Sequence, residues 1–243
     1  MSSAGPQPTI EQPPVEPLPT VSPRTRWIDL GLVLFIGFAD PILIAFYALF
    51  HPDYVSSPSS YPVLSLAYLL LRHGTAFLVL AYVFWRQGRG LRSIGIGFRW
   101  NDPFKGLGLM ILAFIITAGL YYLIHGIERA FGIVPDTRSI PRTRWKERSI
   151  VDLIHGTSSP IFEEVLVRGY LMTEFFELGK PVALAITASV VLQTSYHVYY
   201  GLGTALSLSG VFLVFAAYFA KSRKLMPIIF AHLFWDLTLY FTR

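Results

Sequence analysis

The sequence predicts an all-α fold, a polytopic transmembrane helical bundle of about seven spanning helices around a polar intramembrane cavity. Three observations predict it. Hydrophobic residues make up 53% of the 243 and charged residues only 14%, where soluble domains carry about 25% charged residues. Mean hydropathy is +0.51, and a soluble fold of this size could not hide so much apolar surface. Long apolar stretches recur along the chain, broken by short polar segments, and the few ionisable groups inside them gather in compact clusters.

The elements follow in order. Residues 1–26 carry Pro6, Pro8, Pro13, Pro14, Pro17, Pro19 and Pro23 with few apolar side chains, the composition of a disordered, partly extended arm. The arm lacks the basic-then-apolar layout of a cleavable signal, so the first apolar run is expected to be a resident helix. A span needs roughly 20 apolar residues, and the expected spans of the membrane domain 27–243 are 27–49, 61–85, 104–125, 150–176, 181–198, 205–220 and 226–240. In the fourth, "GTSSP" at 156–160 marks an expected break, with Ser159 and Pro160 opening the main helix as N-cap and first turn.

Loop charges set the expected orientation. The segment after the first span has no lysine or arginine, so it should face outward and the N-terminal arm inward, to the cytoplasm. Arg86, Arg89, Arg92, Arg99 and Lys105 make the next loop cytoplasmic, as Lys221, Arg223 and Lys224 do near the end. Residues 128–148 run against this alternation: their mixed charge and Trp145 suggest a helix along the interface. The net charge of +5 is scattered over such loops, as topology demands, and is not a nucleic-acid surface. The absence of cysteine rules out disulfides, thiolate metal sites and a cysteine nucleophile. Asn101, followed by Asp-Pro, forms no glycosylation sequon, which favours a bacterial plasma membrane over the endoplasmic reticulum.

A charged side chain at mid-bilayer costs about 2.5–3.5 kcal/mol. Glu163, Glu164, Arg168 and Asp236 would together cost on the order of 10 kcal/mol if unpaired, so they must face a polar interior with partners. Glu164 and Arg168, four apart, share a helical face and can pair. Glu163 is rotated by about 100° and stays available. His197 ends the fifth span with Gln193 one turn earlier, and His232 and Asp236 stand four apart on the last. An Asp–His pair fixes the imidazole's tautomer, whether for metal binding or hydrogen bonding. The set supplies a potential general base (Glu163), a second proton-handling or metal-binding group (His197) and an anion stabiliser (His232 with Asp236), suited to activating water and stabilising an oxyanion. No HExxH motif occurs, and no serine stands beside a histidine or lysine as a nucleophile would. Arg72 and Asp40 are expected to form a structural pair, and His125 and His155 to be packing residues at helix ends.

The motifs EExxxR (Glu163, Glu164, Arg168), a helix-ending His197, and HxxxD (His232, Asp236) resemble, in order and spacing, those of the CPBP or Abi family of intramembrane proteases. That family includes the type II CAAX-prenyl endopeptidases, and the resemblance covers about residues 145–240. It implies that Glu163 and His197 activate the attacking water, that His232 and Asp236 stabilise the oxyanion, and that Glu164 and Arg168 support the site. Gln193 departs from the family's usual phenylalanine, and Asp236 replaces the commoner asparagine. The implied activity is endopeptidase cleavage of membrane-associated substrates, either CAAX-type tails or bacteriocin-like precursors. Zinc held by Glu163, His197, His232 and Asp236 is compatible with the residue types; metal-independent chemistry is the favoured reading. The competing class is non-enzymatic. Buried acids and histidines also build proton relays in transporters, but no internal repeat of the kind transporters show is evident. A silent immunity or scaffold protein would have no need of the full set.

Overall fold

A computed structural model describes residues 21–51, 62–133 and 150–242. Among them the secondary structure is helical throughout, in seven successive helices. Helix α1 is Pro23–Phe50, α2 Pro62–Gln87, α3 Asp102–Ala130, α5 Val182–Ser195, α6 Leu202–Ser222 and α7 Met226–Thr242. Helix α4 runs as an α-helix over Ile150–Glu163, a π-helix over Glu164–Met172 and an α-helix again over Thr173–Glu177. Helices α1, α2, α3 and α6 are long and apolar enough to cross a membrane, while α5 and α7 are apolar but shorter. The chain is an integral membrane protein built as a helical bundle.

Local chemistry explains the first boundary. Ser22 Oγ accepts the Thr25 N–H at 3.2 Å and Pro23 follows it, the arrangement of an N-cap with proline in the first turn. The helix therefore starts four residues before Trp27. The rest of the expected arm, residues 1–20, and most of the expected interfacial helix, residues 134–149, lie outside the described residues.

The expected break at 156–160 does not occur. Helix α4 passes through Pro160, which removes one ladder hydrogen bond. One turn earlier, Thr157 Oγ1 donates back to the carbonyls of Leu153 (2.8 Å) and Ile154 (3.2 Å). Glu163 and Glu164 therefore lie at an α-to-π junction, not in a first turn. All nine residues of the π segment are buried, because α4 is the central helix and packs against α1, α2, α5, α6 and α7. A π segment is rare, and such segments are frequent at functional sites.

Two close approaches bring helices onto this axis. A Cβ on Gly37 would lie 2.9 Å from Leu166 Cδ1, so only glycine lets α1 come this near to α4. On the other side, a Cβ on Gly106 would lie 2.6 Å from Phe230 Cβ, which brings α3 onto α7.

One end of the bundle is tied by an ion network. Glu174, with a fully buried side chain, accepts from Arg26 Nε at 2.8 Å and from Arg89. Asp29 pairs with Arg86 and accepts from Gln87 Nε2 at 3.0 Å. The beginning of α1, the end of α2 and the end of α4 are thereby fastened together, which positions α4 at its C-terminal end.

Candidate active site

The two adjacent glutamates point to different partners. Glu163 Oε2 accepts from Tyr196 OH at 2.8 Å and from Gln193 Nε2 at 3.0 Å, both in the last turns around the end of α5. Glu164 Oε1 takes Arg168 Nη1 at 3.3 Å and His232 Nδ1 at 2.8 Å. Glu164 and Arg168 are wholly buried, and Arg168 also donates through Nη2 to the Phe212 carbonyl at 3.2 Å. Its guanidinium lies over the rings of Phe212 and Phe215 on α6. Arg168 thus joins α4 to α6, and Glu164 joins α4 to α7.

The histidine tautomers follow from these partners. His197 Nδ1 lies 2.7 Å from the Gln193 carbonyl, which can only accept, so Nδ1 carries the hydrogen and Nε2 remains free. The His197 ring is set against Phe212 and Tyr196. His232 Nδ1 faces the Glu164 carboxylate, so it donates there, and its Nε2 faces Asp236 Oδ1 at 3.9 Å. The expected His232–Asp236 contact is thus a charge neighbour and not a hydrogen bond. Glu164 on another helix reaches the imidazole first. Glu163 interacts electrostatically with both His197 and His232. Glu163, His197 and Asp236 are half-buried, while Glu164, Arg168, Gln193 and His232 are buried.

Tyr196 and Gln193 were not assigned to the site from the sequence. Their separation of three residues places both on one helical face, beside His197, and that was the available signal. Tyr196 is held from behind by stacking on Phe38 at 5.2 Å, so α1 contributes to the site indirectly. Removing one of the two donors that orient Glu163 should slow the chemical step. Tyr196→Phe is expected to lower kcat about 10-fold with KM nearly unchanged, measured on detergent-purified enzyme with a peptide substrate. An equal rise in KM with unchanged kcat would mean that Tyr196 binds substrate instead.

Arg72 does not pair with Asp40. The Tyr68 hydroxyl, one turn away from Arg72 on α2, donates to Asp40 instead. Arg72 Nη2 lies 3.3 Å from His73 Nε2. His125 donates from Nδ1 to the Tyr121 carbonyl at 3.0 Å and stacks on that ring, as a packing residue does.

Among the described residues, no three His, Cys, Asp or Glu side chains converge to hold a metal ion. His232 directs one nitrogen at Glu164, and Glu163 Oε2 is occupied by two protein donors. Glu163, His197, His232 and Asp236 are thus not gathered into a metal cluster in this arrangement of the described residues.

Residues 144–238, which hold every one of these site groups, match the family model described as type II CAAX prenyl endopeptidase, Rce1-like. Over these residues the chain is similar to the Rce1-like family. No curated protein and no solved structure matches the chain. At family level the Rce1-like match supports a peptidase of the CAAX type working on membrane-associated substrates. The Rce1-like segment begins before α4 and ends within α7, so α1, α2 and α3 lie outside it. Those helices nonetheless supply Phe38 behind Tyr196 and the His73 ring that stacks on Phe162 at 3.9 Å.

Proposed function

We propose that this protein is an intramembrane endopeptidase that hydrolyses the C-terminal tail of membrane-anchored CAAX-type substrates with a water activated by Glu163 and His197. The observation that carries the reading is the division of labour between the glutamates. Glu164 is neutralised by the charged Arg168 and held by His232, whereas the partners of Glu163, Tyr196 and Gln193, are uncharged and both donate to Oε2. Among the described residues Glu163 Oε1 has no hydrogen-bond donor, and it can take a proton from water. His197 Nε2 offers a second acceptor beside it.

In this mechanism the water oxygen bonds to the scissile carbonyl carbon while its proton passes to Glu163. The carbonyl oxygen becomes an oxyanion, stabilised by a proton on His232 Nε2 with Asp236 nearby. The C–N bond then breaks, and the proton held by Glu163 goes to the leaving amine. Such acid–base groups typically contribute about 10²–10⁴-fold, and one oxyanion donor about 10²–10³-fold. Glu164 and Arg168 set the position of His232.

The test is direct. Detergent-purified protein is incubated with a farnesylated peptide ending in Cys-aliphatic-aliphatic-Ala, and the products are weighed by mass spectrometry. Release of the terminal tripeptide is the expected result. An intact farnesylated peptide after prolonged incubation with folded protein would overturn the proposal, as would a cut elsewhere in the chain.

A further inference from the structure

Arg72 is a cation without a counter-ion. It sits on α2 and is half-buried, and among the described residues no carboxylate lies within ion-pair distance of it. Asp40, the acid expected to pair with it, is engaged by Tyr68. Among the described residues, the side chain that hydrogen-bonds Arg72 is His73, through Nε2 at 3.3 Å, an acceptor that carries no negative charge. Arg72 Nε is buried with no acceptor at all. His73 and the Phe162 ring hold the guanidinium without neutralising it, and an unneutralised intramembrane cation is a candidate for a substrate or ligand site.

Its position says which ligand. The Arg72 guanidinium lies 5.8 Å from the centroid of the Phe162 ring. Phe162 is wholly buried and precedes Glu163, the proposed base. His73, the residue that Arg72 touches, stacks on the same ring at 3.9 Å and interacts electrostatically with Glu163. Arg72 is thus fixed one aromatic ring away from the reacting centre. A CAAX-type tail ends in a free α-carboxylate three residues beyond its cysteine, and three extended residues reach about 10–11 Å. A carboxylate is also the anion whose geometry a guanidinium fork matches, through two N–H groups together.

We infer that Arg72 is a binding site for the C-terminal α-carboxylate of the substrate, so that the enzyme measures its cut from the chain end. His73, locked on Phe162, orients the guanidinium by accepting from Nη2 and leaves the Nη1 side to meet the carboxylate. The inference rests on the peptidase reading for its substrate, but binding alone can test it.

Two farnesylated peptides of one sequence are needed, ending in Cys-aliphatic-aliphatic-Ala with a free carboxylate or a C-terminal amide. With the full chain in detergent, KM for the acid should be about 10- to 100-fold below that for the amide, as expected for a hydrogen-bonded charged group. Arg72→Gln should erase the difference, and Arg72→Lys should restore part of it as a point charge. Direct binding to Glu163→Gln protein, read by fluorescence anisotropy, should show the same preference for the acid. Cleavage of both peptides at one KM, or an Arg72→Gln variant that weakens both equally, would overturn the site and leave the peptidase reading standing. Preferential binding of the acid without cleavage of either peptide would do the reverse.

Discussion

Glu163→Gln should lower kcat on the farnesylated peptide by about 10⁴-fold, the upper end of what a positioned acid–base group contributes. Its fold should be retained, and the reason lies in the hydrogen bonds. Tyr196 OH and Gln193 Nε2 both donate to Glu163 Oε2, and the amide oxygen of glutamine can accept from both in the same place. The substitution changes only the other position, where an acceptor that could receive a proton becomes an NH2 group that cannot. Thermal unfolding should therefore be nearly unchanged, and so should the affinity for uncleaved peptide. A variant that still turned over at a tenth of the normal rate would remove Glu163 from the role of base. His197, with its free Nε2, would then be the group to test.

What the sequence made legible was whatever depends on local periodicity. Apolar length marked α1, α2, α3 and α6, and the spacing of four between Glu164 and Arg168 put two opposite charges on one face of one helix. The partner of His232 was hidden because Glu164 is 68 residues away and on another helix. Intrahelical spacing offered Asp236 instead, which stands only as a charge neighbour at 3.9 Å. Arg72 and Asp40 were misjudged for a related reason. Pairing by charge alone overlooked Tyr68, one turn before Arg72, which satisfies the acid with a hydroxyl. Pro160 read as a helix start because that is its commonest meaning in water. Inside a bundle, packing against α4 from its neighbours carries the helix through it. The ion network on Glu174 was illegible because nothing local distinguishes a buried acid at a helix end from a solvated one.

Arg168→Ala should fold poorly, and the effect should be on stability before it is on chemistry. Arg168 and Glu164 have no exposed side-chain surface, so deleting the cation leaves an acid buried with His232 as its remaining partner. Breaking one side of a buried pair costs about 3–5 kcal/mol, a large share of the roughly 5–15 kcal/mol that holds an ordinary domain together. The change also removes the bond to the Phe212 carbonyl and empties the space over Phe212 and Phe215, which loosens α4 from α6. Low yield and a strongly lowered melting temperature in detergent are expected. A second pair of variants separates charge from packing. Arg168→Met fills most of the volume but still strands Glu164, so it should remain clearly destabilised. Adding Glu164→Gln removes the stranded charge, and its amide oxygen can still accept from His232 Nδ1. The double variant should therefore regain much of the stability that Arg168→Met loses, because replacing both partners costs less than replacing one. If Arg168→Met instead melts like the wild type and is merely slow, the guanidinium acts on the reaction itself, and the buried pair is not what it is kept for.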